Sequence, residues 1–349
     1  MMKQGFELFF RKIKRKNVIQ VLLVVLLTSL LMLLALSVNS IKNGEIENHI
    51  LTDQNKISPK TGKKQLKNGE CSLCANLPAS YGNSSPKDLI ITGVFGGEKK
   101  LNMFVKSLRS TGSQARVVVI SNTSFAEDFI KDYLACNVEF FIMKSTKKTH
   151  SMYPHSLRYV GYQQFFQQTT EKFDRVLHAD SFDVFFQKDP FNEEISKDKL
   201  YFVLEDIKIE NSSWNSGWLI RAYNESVSQS LGENIVSCSG TVIGGYNQFL
   251  IYLNTLLEHP PFWANGRHSL DQAYHNFLLH TGVFEKKGIN AAYFGCNSHI
   301  LTMHYCSRHG KEVLKNNRIY TPNGKILPAI VHQYPLFRGS QLAIKAMCS

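Results

Sequence analysis

The sequence predicts an α/β domain, a mostly parallel β-sheet flanked by helices, set after an N-terminal transmembrane helix. Three observations carry that expectation. From residue 88 onward, short continuous apolar runs alternate with segments of helical periodicity; such runs mark strands buried on both faces of a parallel sheet. A β-α-β-α-β-α-β order implies parallel strands joined by helical crossovers. Residues 18–38 form an uncharged apolar run, matching the ~20 residues that a bilayer-spanning helix needs.

Residues 89–95 (LIITGVF) read as the first buried strand, closed by Gly96 and Gly97. Leu101, Phe104, Val105 and Leu108 then recur at helical spacing over 101–110. Residues 115–120 read as the second strand, 125–134 as a helix and 138–143 as the third strand. Residues 157–168 read as a helix with Tyr159, Tyr162, Phe165 and Phe166 on one side. The fourth strand is 175–179. Beyond it the pattern is more mixed: strands at 201–204 and 239–245, a helix over 248–258, and a helix beginning at Leu270 that Ser269 could cap. Apolar runs at 291–294, 300–305 and 326–332 complete the sheet or extend it.

Charge sets the topology. Lys3, Arg11, Lys12, Lys14, Arg15 and Lys16 precede the apolar run, and a mixed stretch with Lys42, Glu45 and Glu47 follows it. The positive-inside bias places 1–17 in the cytosol, 18–38 in the membrane as a signal anchor, and the rest in a lumen or outside. Residues 39–87 read as an exposed, polar stem and 88–349 as one domain. The net charge of +12 is not a nucleic-acid footprint, because residues 1–88 hold 13 Lys and Arg against 6 Asp and Glu. Cys71-Ser-Leu-Cys74 lies outside any βαβ context and reads as a structural disulfide in an oxidising compartment. With 7 cysteines, at least one stays free or pairs with another chain. Asn83, Asn122, Asn211 and Asn224 each open an Asn-X-Ser/Thr sequon.

The candidate site centres on RVLHADSFDVFFQKDPF, residues 175–191. Asp180 stands where the fourth strand ends, and Asp183 follows it; in open α/β sheets ligands sit at the carboxyl ends of the strands. Around this stretch the chain resembles the GT-A (Rossmann-like) glycosyltransferases, enzymes that take a sugar from a nucleotide diphosphate sugar. The resemblance rests on the strand ending in Thr92-Gly93, on Arg158 in LRYVGYQQFF, on ADSFDVFFQKDPF, on CSGTVIGG with Gly240, on DQAYHNFLL with Asp271, and on the late VHQY with His332. The family carries Asp-X-Asp, whereas this chain has Asp180-Ser181-Phe182-Asp183. Two registers stay open: His178 stands for the first acid before Asp180, or Ser181 stands for it before Asp183.

What the resemblance implies is specific. A Mn²⁺ or Mg²⁺ ion would be held by Asp180, Asp183 and His332, since hard cations take carboxylate oxygens and Mn²⁺ also accepts imidazole. The donor nucleotide sugar would meet Thr92, Gly93, Ser181 and Gly240, and Arg158 would neutralise phosphate charge. Asp271 would act at the sugar, as a catalytic or positioning carboxylate. The compartment would be the Golgi membrane, and the acceptor a glycan, glycoprotein or glycolipid. Each residue has a structural alternative: turn caps for Asp180 and Asp183, a strand-end histidine, a surface helical arginine, a helix-start acid. Trp214 and Trp218 could stack on a sugar face, with packing the default expected of them. A lumenal binding protein that keeps the fold without catalysis is the competing reading; a phosphatase with Asp180 as nucleophile is set aside, since that aspartate follows the first strand in such enzymes.

Overall fold

The computed structural model describes residues 71–79, 82–95, 101–308 and 312–348. The expected cytosolic tail, the 18–38 anchor, most of the stem and the Gly96-Gly97 strand end lie outside these residues. Among the described residues no helix is long and apolar enough to cross a membrane.

The first half runs β1 (Asp88–Gly93), α1 (Leu101–Ser110), β2 (Arg116–Ser121), α2 (Glu127–Leu134), β3 (Val138–Ile142), α3 (Pro154–Gln168) and β4 (Arg175–Ala179). Then follow β5 (Val184–Phe186), β6 (Leu200–Lys208), α4 (Ser213–Ala222), α5 (Glu225–Ser230), β7 (Ile235–Gly245), α6 (Tyr246–Glu258), α7 (Pro260–Ala264), α8 (Asp271–His280) and α9 (Val283–Lys286). The last part comprises β8 (Ala291–Phe294), β9 (Ile300–Thr302), α10 (Met303–Cys306), β10 (Val313–Lys315), β11 (Arg318–Tyr320), β12 (Ile330–His332) and α11 (Arg338–Cys348).

Seven strands form one sheet in the order β3-β2-β1-β4-β7-β6-β8. β1 pairs in parallel with β2 and β4, and β2 with β3, while β7 runs antiparallel between β4 and β6. The chain moves outward from β1 and then returns to β4 on its other side, which makes the β1/β4 edge a topological switch point. Successive residues of β1 serve two cores: Leu89 and Ile91 pack on one face, Ile90 on the other. That two-sided burial is why this half reads as unbroken apolar runs.

A second sheet, β5-β12-β9, holds the acid-bearing loop in place. β12 pairs antiparallel with β5, setting His332 opposite Val184, and parallel with β9. The expected strand at 300–305 stops at Thr302 and turns into α10, and the one at 326–332 begins only at Ile330.

The cysteine expectation is corrected. Cys71 and Cys74 do not pair with each other: Cys71 bonds Cys136, Cys74 bonds Cys348 and Cys296 bonds Cys306. Cys238 is the free thiol, and it is buried. Leu77 is also buried in the cluster beneath α11, so the packed domain begins ahead of residue 88. The four sequon asparagines are all exposed.

Candidate metal centre

The path from sequence to site begins at the end of β4. His178, the last inward residue but one, is fully buried: its Nδ1 lies 3.0 Å from the Tyr162 hydroxyl and its Nε2 lies 3.1 Å from the Ser239 carbonyl oxygen. Both nitrogens are spent in the core, so His178 does not take the place of an acid. Ser181 donates its hydroxyl to the Gly93 carbonyl oxygen at 3.0 Å, and Thr92 donates to the Ala179 carbonyl oxygen at 2.7 Å. These two bonds tie β1 to the loop that leaves β4. Neither expected stand-in for a missing acid faces the acids.

The residues brought together are Asp180, Asp183 and His332, which each offer one ligand atom within 4.8 Å of the others. Backbone bonds fix all three: the Asp180 amide donates to the Gly240 carbonyl oxygen and the Gln333 amide donates to the Asp183 carbonyl oxygen, both at 2.8 Å. His332 Nε2 stands 3.4 Å from Asp180 Oδ2 and 3.5 Å from Asp183 Oδ1. That nitrogen nonetheless makes no hydrogen bond and is buried. A buried ring nitrogen 3.4 Å and 3.5 Å from two carboxylates ion-pairs with them when protonated and, once neutral, presents with them a donor set that a divalent cation can take. The carboxylates keep 31% and 33% of their side-chain surface open, while His332 keeps 1%. A cation held there would therefore face the cleft with positions to spare.

Gly240 on β7 is the floor of this cluster. A Cβ at that position would fall 2.5 Å from His332 Cε1 and 2.6 Å from Asp180 Oδ2. No side chain fits unless two of the three ligand residues move. Gly240→Ala is accordingly expected to weaken Mn²⁺ binding by about 10- to 100-fold, the scale of disturbed support around a metal, as read by isothermal titration calorimetry. Gly93 is confined similarly, since a Cβ there would lie only 2.9 Å from that of Arg158.

Arg158 is not the surface arginine that its helix position allows. It is buried, and its fork pairs with Asp180 through Nη1 and with Asp271 Oδ2 through Nη2, the latter at 2.9 Å. Its guanidinium is thus committed to two carboxylates and braces the site instead of standing free for a phosphate. Burial works against ionisation of Asp180, but Arg158 first and His332 next outweigh it and hold that carboxyl far below the usual range. Burial likewise disfavours a charged His332; Asp183 and its other neighbours prevail, and the imidazole pKa stands well above its ordinary value.

Asp271 opens α8 and also accepts from the Ser239 hydroxyl at 3.2 Å. The helix has no side-chain cap, and its N-cap is Leu270. Ser269, expected as the cap, lies with its hydroxyl 2.6 Å from His155 Nδ1 instead.

Asp180 and His332 open onto a cleft of about 470 Å³, within the ~300–1,000 Å³ of small-molecule sites. Its lining combines the charged groups Arg158, Asp180, Asp271 and His332 with the apolar and aromatic Trp214, Trp218, Tyr305 and Leu336. Trp218 packs against the main core as expected, whereas Trp214 is 59% exposed. Glu205 also lines the cleft and was not singled out by sequence. Burial pushes its carboxyl up to about 7 against the opposing pull of His332. Its signal was the one that marked Asp180, an acid directly after the apolar run YFVL.

No protein-family model matches the chain, and comparison with curated proteins gives no match.

Proposed function

We propose that this protein is a metal-dependent glycosyltransferase that moves a sugar from a nucleotide diphosphate sugar to a glycan, glycoprotein or glycolipid. The convergence of Asp180, Asp183 and the buried His332 Nε2 at the carboxyl end of β4 carries the reading. Two carboxylates and an imidazole suit Mn²⁺, and Mg²⁺ less closely because it prefers oxygen alone. When bound, such a cation neutralises negative charge developing on a departing diphosphate. Arg158 holds Asp180 and Asp271 at fixed separation, and Ser239 holds Asp271 toward the same cleft. Asp271 would orient the donor sugar by accepting from its hydroxyls. Thr92, Gly93, Ser181 and Gly240 shape the edge of β1, β4 and β7 against which the donor would lie. In this reading residues 18–38 lie in the Golgi membrane with the domain in the lumen; three disulfides and four exposed sequons suit an oxidising, glycosylating compartment.

The test is a panel of nucleotide sugars incubated with the detergent-solubilised full chain and Mn²⁺, following release of nucleoside diphosphate. Slow hydrolysis of at least one donor, abolished by a chelator, is expected. Donor binding with no turnover favours the non-catalytic binding protein, and no response to donor or chelator removes the proposal.

Proton competition adds a pH prediction. In the metal-free protein the raised His332 pKa contributes stability that is full below the ordinary value of ~6.5 and is lost as pH rises through the folded value. A cation needs neutral Nε2, so its binding releases that proton. The thermal shift given by Mn²⁺ is expected to be larger at about pH 8 than at about pH 6; an equal shift at both would exclude His332 as a ligand.

A further inference from the structure

The aromatic half of the cleft has no part in holding a metal. Trp214 and Trp218 stand one turn apart on α4, with ring centroids 6.0 Å apart and planes inclined by 40°; the exposed Trp214 offers an aromatic platform that abuts Trp218, itself packed against the core. Trp214 is largely exposed, as is Leu336 on the same rim. Hydrogen bonds tie α4 to its neighbours. The Tyr305 hydroxyl lies 2.8 Å from Ser212 Oγ, which also accepts from Asn215 Nδ2 at 2.8 Å. Asn215 Oδ1 in turn accepts from Gln272 Nε2 at 3.2 Å.

A second observation points to what the platform receives. Glu205 is 4% exposed, it lines this cleft, and its Oε2 has no hydrogen-bond partner. Leaving a buried carboxylate oxygen unsatisfied costs more than the ~1–3 kcal/mol of a neutral polar group, and a ligand hydroxyl removes that cost. The site thus asks for a molecule with an apolar face for the indoles and a hydroxyl edge for Glu205. A pyranose ring has both. An acyl chain would seal Glu205 away without a partner.

We propose that this half of the cleft binds a pyranose of a glycan, stacked on Trp214 and Trp218 with one ring hydroxyl donating to Glu205 Oε2. Its designation as the acceptor sugar rests on the transferase reading above; sugar binding itself does not. The chain has 3 tryptophans, two of them in this cleft, so intrinsic fluorescence reports occupancy directly. The probes are methyl glycosides of galactose, glucose, mannose and N-acetylglucosamine, with lactose and chitobiose, titrated into the full chain in detergent. At least one is expected to shift the emission at millimolar concentration or below. Trp214→Ala and Glu205→Leu are each expected to raise its Kd about tenfold or more, while Trp263→Phe keeps the response. Trp214 is a surface residue, so its variant tests the platform even if Glu205→Leu does not fold. No response to any probe, or an unchanged Kd in Trp214→Ala, overturns the inference. Donor hydrolysis by the same preparation separates the two ideas. Sugar binding without hydrolysis sustains this site and removes the word acceptor, whereas hydrolysis without sugar binding removes this site alone.

Discussion

Asp183→Ala lowers metal-dependent release of nucleoside diphosphate by about a thousandfold, with the fold intact by near-ultraviolet circular dichroism. The magnitude follows from losing several kcal/mol of charge stabilisation by a displaced cation, at ~1.36 kcal/mol for each factor of ten in rate. Asp183 is the cleaner of the two acids to remove. Its carboxylate is a third exposed and, among the described residues, its only close ionic neighbour is His332, whereas Asp180 also neutralises the buried Arg158. Wild-type hydrolysis in Asp183→Ala would show that the cluster holds no catalytic metal.

Arg158→Leu carries the largest expected cost in stability. It would leave the carboxylate of Asp271 buried beside a hydrocarbon side chain, with the Ser239 hydroxyl and, 4.0 Å away, the exposed His155 ring as its remaining neighbours. Breaking a buried ion pair from one side costs ~3–5 kcal/mol. For a domain of this size that lowers the melting temperature by roughly 6–20 °C. The double variant Arg158→Leu/Asp271→Leu is expected to lose less than the sum of the single losses, because the second change removes the stranded charge. Additive losses in chemical denaturation would mean that the pair is not coupled in the way the 2.9 Å contact implies.

The first half of the fold was legible because its strands are buried on both faces. Residues 101–110 and 175–179 coincide with α1 and β4, and the other early elements differ only at their ends. Legibility fell in the second half, where strands pair antiparallel and carry small and polar residues. β7 extends back to Ile235, but its antiparallel pairing with both neighbours places serine and glycine at close backbone approaches, so only 239–245 had a strand-like look. α4 was missed: SWNSGWLIRA has no apolar stripe, since its tryptophans face a cleft and only Asn215, Leu219 and Ala222 are buried. Its cap at Ser212, which accepts from the Asn215 amide, was the available signal. Disulfide pairing across 65 and 274 residues of sequence depends on which elements neighbour one another, and spacing holds no record of that. In the site, Asp180, Asp183 and His332 could be picked out by residue type and position. That neither His178 nor Ser181 stands in for an acid follows from their side-chain partners, which no sequence pattern gives. Arg158 illustrates the same limit, because whether an arginine pairs with carboxylates or waits for a phosphate depends on burial.

The central claim is that Asp180, Asp183 and His332 hold a divalent cation that engages a nucleoside diphosphate. Anomalous diffraction at the manganese edge, on a crystal soaked with Mn²⁺ and uridine or guanosine diphosphate, tests it most directly. One strong peak is expected within roughly 2.0–2.6 Å of all three side chains, the range of hard-cation bonds, with diphosphate oxygens filling the remaining positions. No peak at this cluster, or a diphosphate bound away from it, would contradict the account.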